Sequence, residues 1–204
     1  MKKLILALAI LFQTGSLFSQ TFVNIYLAHG EIESYNISEI NEIRYYNTNE
    51  GSYNLNINQD GPAGGLVFYD KGYYSEGWRY MEAKIIGTGT YDGQAVFGTL
   101  DEIGSAKRNT YLALNQWTST SAAARLVANY SVFKNGVLYD DWYLPSIDEL
   151  FTVESSGVGA YLGMGEAISS TVDFPNDVYG IRFDGLITTF SIDANKTIVG
   201  IRYF

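Results

Sequence analysis

Asp141-Trp142-Tyr143-Leu144-Pro145-Ser146-Ile147-Asp148-Glu149-Leu150 says more about the architecture than any other part of the chain. An acidic residue and a Trp-Tyr pair pass through an X-Pro bond straight into a helix start. Pro145 disfavours helical backbone at Leu144 and holds it extended. Ser146 is placed to cap the helix, and Glu149 three residues on completes a capping box. The stretch therefore predicts an aromatic strand that gives way to a helix within three residues. Trp142 is expected in the core, because a buried Trp usually anchors packing. In that case Asp141 satisfies backbone donors in the bend. The competing reading is a ligand patch in which Tyr143 stacks on a sugar and Asp140 and Asp141 accept its hydroxyl protons.

Toward the N-terminus, residues 1–19 read as a secretory signal. Lys2 and Lys3 precede an apolar run from Leu4 to Phe12, too short to span a bilayer, and Gly15, Ser16 and Ser19 offer small residues for cleavage after Ser19. Without Lys2 and Lys3 the 13 basic residues become 11 against 22 acidic, a net −11 over the remaining 185 of 204 residues. Such a balance argues against nucleic acid and anionic lipid as partners. No later segment is apolar and long enough to cross a membrane. The chain is thus expected outside the cytoplasm: periplasm, outer cell surface or extracellular space. It has no cysteine and one histidine, His29, which precedes Gly30 in a turn-like setting. Thiol nucleophiles and thiolate metal sites are excluded, and a His-based triad would rest on that single turn residue.

Alternation predicts a strand–turn–strand segment within residues 20–46, with a helical turn at Ser38–Ile43. Residues 47–60 read as a linker running into an amphipathic edge strand, where Asn54, Asn56, Asn58 and Asp60 alternate with Leu55 and Ile57. Asn56-x-Asn58-x-Asp60-Gly61 is not an EF-hand loop, since its twelfth position is Val67 rather than Glu. The main domain spans 61–204. Gly61-Pro62-Ala63-Gly64-Gly65 is expected to turn into the strand Leu66–Tyr69 and lacks the Gly-Lys-Ser/Thr of a phosphate loop. A second extended stretch covers Tyr73–Ala83, and Gly87–Gly98 reads as loop. Helices are expected near Lys107–Gln116 and Ser121–Tyr130, the second capped by Ser119 or Ser121, and a third from Ser146 to about Ser155. Strands follow at Val178–Phe183, Leu186–Phe190 and Thr197–Phe204. Gly180-Ile181-Arg182-Phe183 and Gly200-Ile201-Arg202-Tyr203 echo one another and are expected on neighbouring strands.

Four ordered segments carry a resemblance. They are Gly64-Gly65-Leu66-Val67-Phe68-Tyr69, the helix region Arg108 to Tyr130, the Asp141–Leu150 stretch, and Ile168-Ser169-Ser170-Thr171 with the two Gly-Ile-Arg endings. Together they resemble the bacterial domain at the C-terminus of the Lcl collagen-like adhesin, over about residues 61–204. That family is similar in fold to C-type-lectin-like domains and to the formylglycine-generating-enzyme group. The resemblance implies an α+β domain with a twisted antiparallel sheet, two to three flanking helices and an irregular ligand-facing region. Trp142, Pro145, Ser146, Glu149, Ser169 and Ser170 fall on its structural motifs. Val127 or Ala128 stands where the family often has Cys, Ile168 where it has Trp, and Val172 where it has Glu. The cysteine-oxidising chemistry of the related enzymes does not carry over to a chain without cysteine.

The expected function is a non-enzymatic binding module for a glycan or another cell-surface polymer. The alternative is a protein-interaction or structural subunit of an envelope assembly. The expected ligand residues are Asp140, Asp141, Tyr143, Asp173, Asn176, Asp177 and Tyr179. Asp173, Asn176 and Asp177 flank Phe174-Pro175, where C-type lectins place a Pro-Asn element with carboxylates; oxygen ligands of this kind suit calcium. No other cofactor is expected. A glycoside hydrolase pairing Asp140 or Asp141 with Asp173 or Asp177 is a lesser alternative. Anionic groups on a ligand would need a local basic patch, for which Lys107, Arg108 and Arg125 are the candidates.

Overall fold

The structure is a computed structural model. It describes residues 22–26 and 32–36 by their backbone, and 53–91, 96–116, 122–173, 176–182 and 184–204 with side chains. The signal-like residues 1–19, the helical turn at 38–43, and Ser119 and Ser121 lie outside the described residues. The chain divides into two units, Met1–Asn47 and Thr48–Phe204. In the first, β1 (Phe22–Tyr26) and β2 (Ile32–Asn36) pair antiparallel, as their alternating pattern predicts.

The second unit is mixed α+β. Its main sheet joins β3 (Leu66–Ser75), β4 (Trp78–Gly89), β7 (Ala167–Asp173), β8 (Asp177–Ile181), β9 (Ile187–Ser191) and β10 (Lys196–Tyr203) in the order β3-β4-β10-β7-β8-β9. Four helices accompany it: α1 (Ala106–Gln116), α2 (Ala123–Ala128), α3 (Ile147–Ser155) and α4 (Val158–Leu162). A small hairpin pairs β5 (Val132–Lys134) with β6 (Val137–Tyr139).

Every neighbouring pair in the main sheet is antiparallel except β10 and β7. Those two run parallel and pair at one point, Thr197 with Ala167. Past that point the Asp141–Leu150 stretch joins them. Tyr143 N–H donates to Ile201 O (2.7 Å) and Ile201 N–H donates back to Tyr143 O (2.9 Å). On the other side Ser170 N–H donates to Pro145 O (2.7 Å), and Ile147 N–H donates to Thr171 Oγ1 (3.0 Å). Because side chains alternate along extended backbone, the segment also feeds both cores. Trp142 and Leu144 pack with Val127, Ile168, Val178 and Ile198. Tyr143, Ile147 and Leu150 pack with Phe68, Met81, Val199 and Ile201.

The capping box at Ser146 forms as predicted: Ser146 Oγ accepts from Glu149 N–H, and Glu149 Oε2 accepts from Ser146 N–H at 2.7 Å. Helix α1 buries Ala106, Asn109, Thr110 and Ala113, the i, i+3, i+4, i+7 stripe of a one-sided helix. Its buried Asn109 side chain pairs with both backbone groups of Leu100, donating to O (2.7 Å) and accepting from N–H (2.9 Å).

Several expectations are corrected. Residues 53–60 form no strand. Ile57-Asn58 turns with Asn58 at φ 70°, and Asn58 and Gln59 hook onto Val67 of β3. Tyr53 and Leu55 pack instead against Val67, Tyr80 and Phe204. Strand β4 runs on to Gly89, through residues expected as loop. Helix α2 is only six residues long and starts after Ala122 without a side-chain cap. The Gly-Ile-Arg echo lies on β8 and β10, which β7 separates. Three elements escaped sequence reading: strand β7, which is buried on both faces and so shows no alternation, helix α4 and the β5–β6 hairpin. Helix α4 is five residues long and follows left-handed Gly157, too short to show a period. The β5–β6 hairpin did carry a signal: Asn135-Gly136, both at positive φ, is the pairing a two-residue hairpin turn demands.

Candidate functional site

The last residues of β10 organise the domain's polar interior. Arg202 and Tyr203 are consecutive, so their side chains leave opposite faces of the sheet. Each meets a fully buried glutamate.

Arg202 and Glu82 are register partners on β10 and β4, and Arg202 Nη1 donates to Glu82 Oε1 at 3.0 Å. The other edge of the guanidinium forms a fork with Asp141, Nε to Oδ1 at 2.8 Å and Nη2 to Oδ2 at 3.2 Å. The rings of Tyr139 and Phe204 lie 4.8 and 5.4 Å from its Cζ. Glu82 also accepts from Ala63 N–H (3.1 Å) and Gly65 N–H (2.7 Å). The Gly61–Gly65 turn is therefore a cradle for an internal carboxylate. A Cβ at Gly61 would sit 2.4 Å from Glu82 Oε2, and one at Gly65 would sit 2.8 Å from Ala83 O, so both positions require glycine.

On the other face Glu149 does more than close the capping box. Its Oε1 accepts from Tyr203 O–H at 2.6 Å and from Gly104 N–H at 2.9 Å. Burial raises the Glu149 carboxyl pKa above the usual range, against the opposing effect of these hydrogen bonds. Burial likewise raises that of Glu82, opposed chiefly by Arg202. A carboxyl with a raised folded-state pKa contributes stability that is complete below its ordinary value near 4.5 and is lost as pH rises through the folded value. Glu149→Gln is expected to lower stability by about 1–3 kcal/mol, because its amide must point a donor at one of three donors. It should also flatten this decline. Urea melts between pH 4.5 and 7.5 read both effects; an unchanged pH slope would show that Glu149 does not titrate in this window.

The predicted ligand residues separate into two groups. Asp140 is exposed, but both Asp141 oxygens are taken up by Arg202. Tyr143, expected at a ligand surface, is only 7% exposed and belongs to the core. Asp173 and Asp177 face one another across the β7–β8 hairpin, with exposed Asn176 between them. Tyr179 is close to Asp173, whose negative charge raises the phenol pKa. Among the described residues no group of three or more acidic or histidine side chains is gathered to hold a metal; Phe174 and Pro175 lie outside them. Ser169 and Ser170 act inside the fold: Ser169 Oγ donates to Tyr179 O (2.8 Å) and Ser170 Oγ to Pro145 O (3.0 Å).

A surface feature that sequence reading missed lies on the Tyr203 side. Tyr69, Trp78, Tyr203, Tyr143 and Tyr111 form a continuous row of rings, with successive centroids 6.1, 5.2, 5.8 and 6.1 Å apart. The row crosses β3, β4, β10, the Tyr143 segment and α1. Lys71 Nζ covers the ring of Trp78, one place in from the Tyr69 end, at 3.8 Å. At the other end Tyr111 is 47% exposed, its ring fixed edge-on against buried Tyr143. There an open cleft of about 430 Å³ is lined by Gly104, Lys107, Arg108, Tyr111, Leu112 and Asn115. Lys107 and Arg108 of the predicted basic patch thus share a cleft. Arg125 does not line it and points Nη2 at Leu114 O. The Lys107–Tyr111 spacing of four, one helical turn, was the available signal. The row itself has none, because it is assembled from five separate places in the chain.

No protein-family model matches this chain, and no curated protein matches it.

Proposed function

We propose that this chain is an exported, non-enzymatic binding module that takes a glycan or another cell-surface polymer in the α1 cleft. The Tyr111 end of the aromatic row carries this reading. A half-exposed ring, immobilised from behind, offers stacking area at little entropic cost. Lys107, Arg108 and Asn115 beside it supply donors for hydroxyl or anionic groups on an otherwise acidic protein. The mixed α+β class, with helices flanking a sheet that is antiparallel in every pair but β10–β7, is compatible with the further reading of a C-type-lectin-like domain of the Lcl C-terminal kind, which implies a wholly antiparallel sheet. The hydrolase reading loses its support at Asp141, whose oxygens are occupied by Arg202.

Glycan-array binding of the exported chain, with and without calcium, tests the proposal. Tyr111→Ala should weaken any hit by roughly tenfold, the scale of one aromatic stacking contact. Its melting point should barely move, since the ring is half exposed. Absence of binding in both conditions, or hits indifferent to Tyr111→Ala, would reject this site.

A further inference from the structure

Helix α1 supplies most of the cleft, and its start is shaped by a different helix. The chain entering α1 hangs on the first turn of α3. Asp148 N–H donates to Asp101 O (3.1 Å), Ser146 Oγ donates to Glu102 O (3.0 Å) and Gly104 N–H donates to Glu149 Oε1 (2.9 Å). The same Glu149 oxygen accepts from Tyr203 O–H at 2.6 Å. The backbone amide of Ala106, the first residue of α1, in turn hydrogen-bonds the Tyr203 phenol oxygen. Glu149 Oε2 accepts from Ser146 N–H at the start of α3. One wholly buried carboxyl group thus serves two helix starts, its own directly and that of α1 through Gly104 and a phenol. The first turn of α1 carries no acidic residue, so these acceptors reach its amide end from outside the helix.

We propose that Glu149 and Tyr203 are the positioning pair of the α1 cleft: they fix Gly104 and the start of α1, and so set where Lys107 and Arg108 stand toward a ligand beside Tyr111. This rests on the cleft being the binding site. Gly104 lines the cleft, and Lys107 and Arg108 follow Ala106 directly. Gly104 stands at φ 96°, a bend that favours glycine and that its bond to Glu149 holds in place. Tyr203 also stacks on Tyr143 (5.8 Å), which backs Tyr111 edge-on (6.1 Å), so the pair bears on both sides of the cleft. A ligand that meets loose walls must order them on binding, which lowers its affinity.

Glu149→Gln and the milder Tyr203→Phe, which keeps the ring and removes its O–H, test this in the full chain. Amide exchange at Gly104 and Ala106 should quicken by at least roughly tenfold relative to the rest of the domain, the scale of a lost hydrogen bond to a charged group. Val67→Ala is the control for general loosening: it trims the separate cluster with Tyr80 and Phe204 and should quicken exchange evenly. Affinity for the strongest array glycan should fall roughly three- to tenfold in both variants and hold in Val67→Ala. Exchange needs no ligand. An array without hits therefore rejects the cleft as a glycan site, while the positioning role is still decided at Gly104 and Ala106. Unchanged exchange there, an even rise like that of Val67→Ala, or local loosening with full glycan affinity each overturns the proposal.

Discussion

Arg202→Ala is expected to lower the unfolding free energy by about 3–5 kcal/mol at neutral pH, the range for breaking a buried ion pair from one side. Arg202 is 3% exposed and Glu82 wholly buried. Burial alone would lower the arginine's pKa, but Asp141 and Glu82 outweigh it and hold the guanidinium charged. Removing it leaves Glu82 with only the Ala63 and Gly65 amides and strips Asp141 of its fork. The charge removed, rather than the lost volume, should dominate, and pH separates the two. The Glu82 pKa is already raised by burial, and Arg202 is the main force holding it down. In the variant it rises further. As pH falls through that value Glu82 becomes neutral and no longer needs a cation, so the deficit should shrink between pH 7 and 5 in urea melts. The double variant Glu82→Gln/Arg202→Met should recover much of the loss, since apolar or neutral replacements of buried ion pairs are often well tolerated. A deficit that does not change with pH would show that packing between Tyr139 and Phe204, not charge, is what Arg202 supplies.

Trp142→Ala should cost about 3–5 kcal/mol, as large-to-small changes at buried Trp do. The ring is 1% exposed and meets Tyr130 edge-on at 5.6 Å, among Val127, Ile168 and Ile198. It also braces the segment that holds β10 and β7 together. Trp142 Nε1 is buried without an acceptor among the described residues, so the side chain loses a water contact and gains no replacement. Trp142→Phe removes that orphaned donor while keeping most of the apolar contact, and should cost about 1–2 kcal/mol. Equal losses for Phe and Ala would mean that the indole nitrogen has a partner in solution.

The Asp141–Leu150 stretch was legible because its information is local. Pro145 restricts its own neighbour, Ser146 and Glu149 cap within one helical turn, and alternation sends Trp142 and Tyr143 to opposite faces. Strands β8, β9 and β10 were legible for the same reason, whereas β7, buried on both faces, offers no alternation to read. The 53–60 alternation misled, because Leu55 serves a satellite cluster with Tyr80 and Phe204 rather than a ladder. The site was less legible. Asp141 beside Trp142 looked like a ligand patch because its partner, Arg202, lies 61 residues away.

Local sequence suffices for the strand-to-helix turn and the α+β class, and composition rules out thiol or multi-histidine chemistry for this chain. What the polar and aromatic residues do follows from long-range packing. It placed Glu82 against Arg202 across 120 residues and Glu149 against Tyr203 across 54, and it aligned five rings from separate elements. A buried charge must find its partner and a ring its neighbour wherever the sheet brings them, and local sequence does not encode that distance.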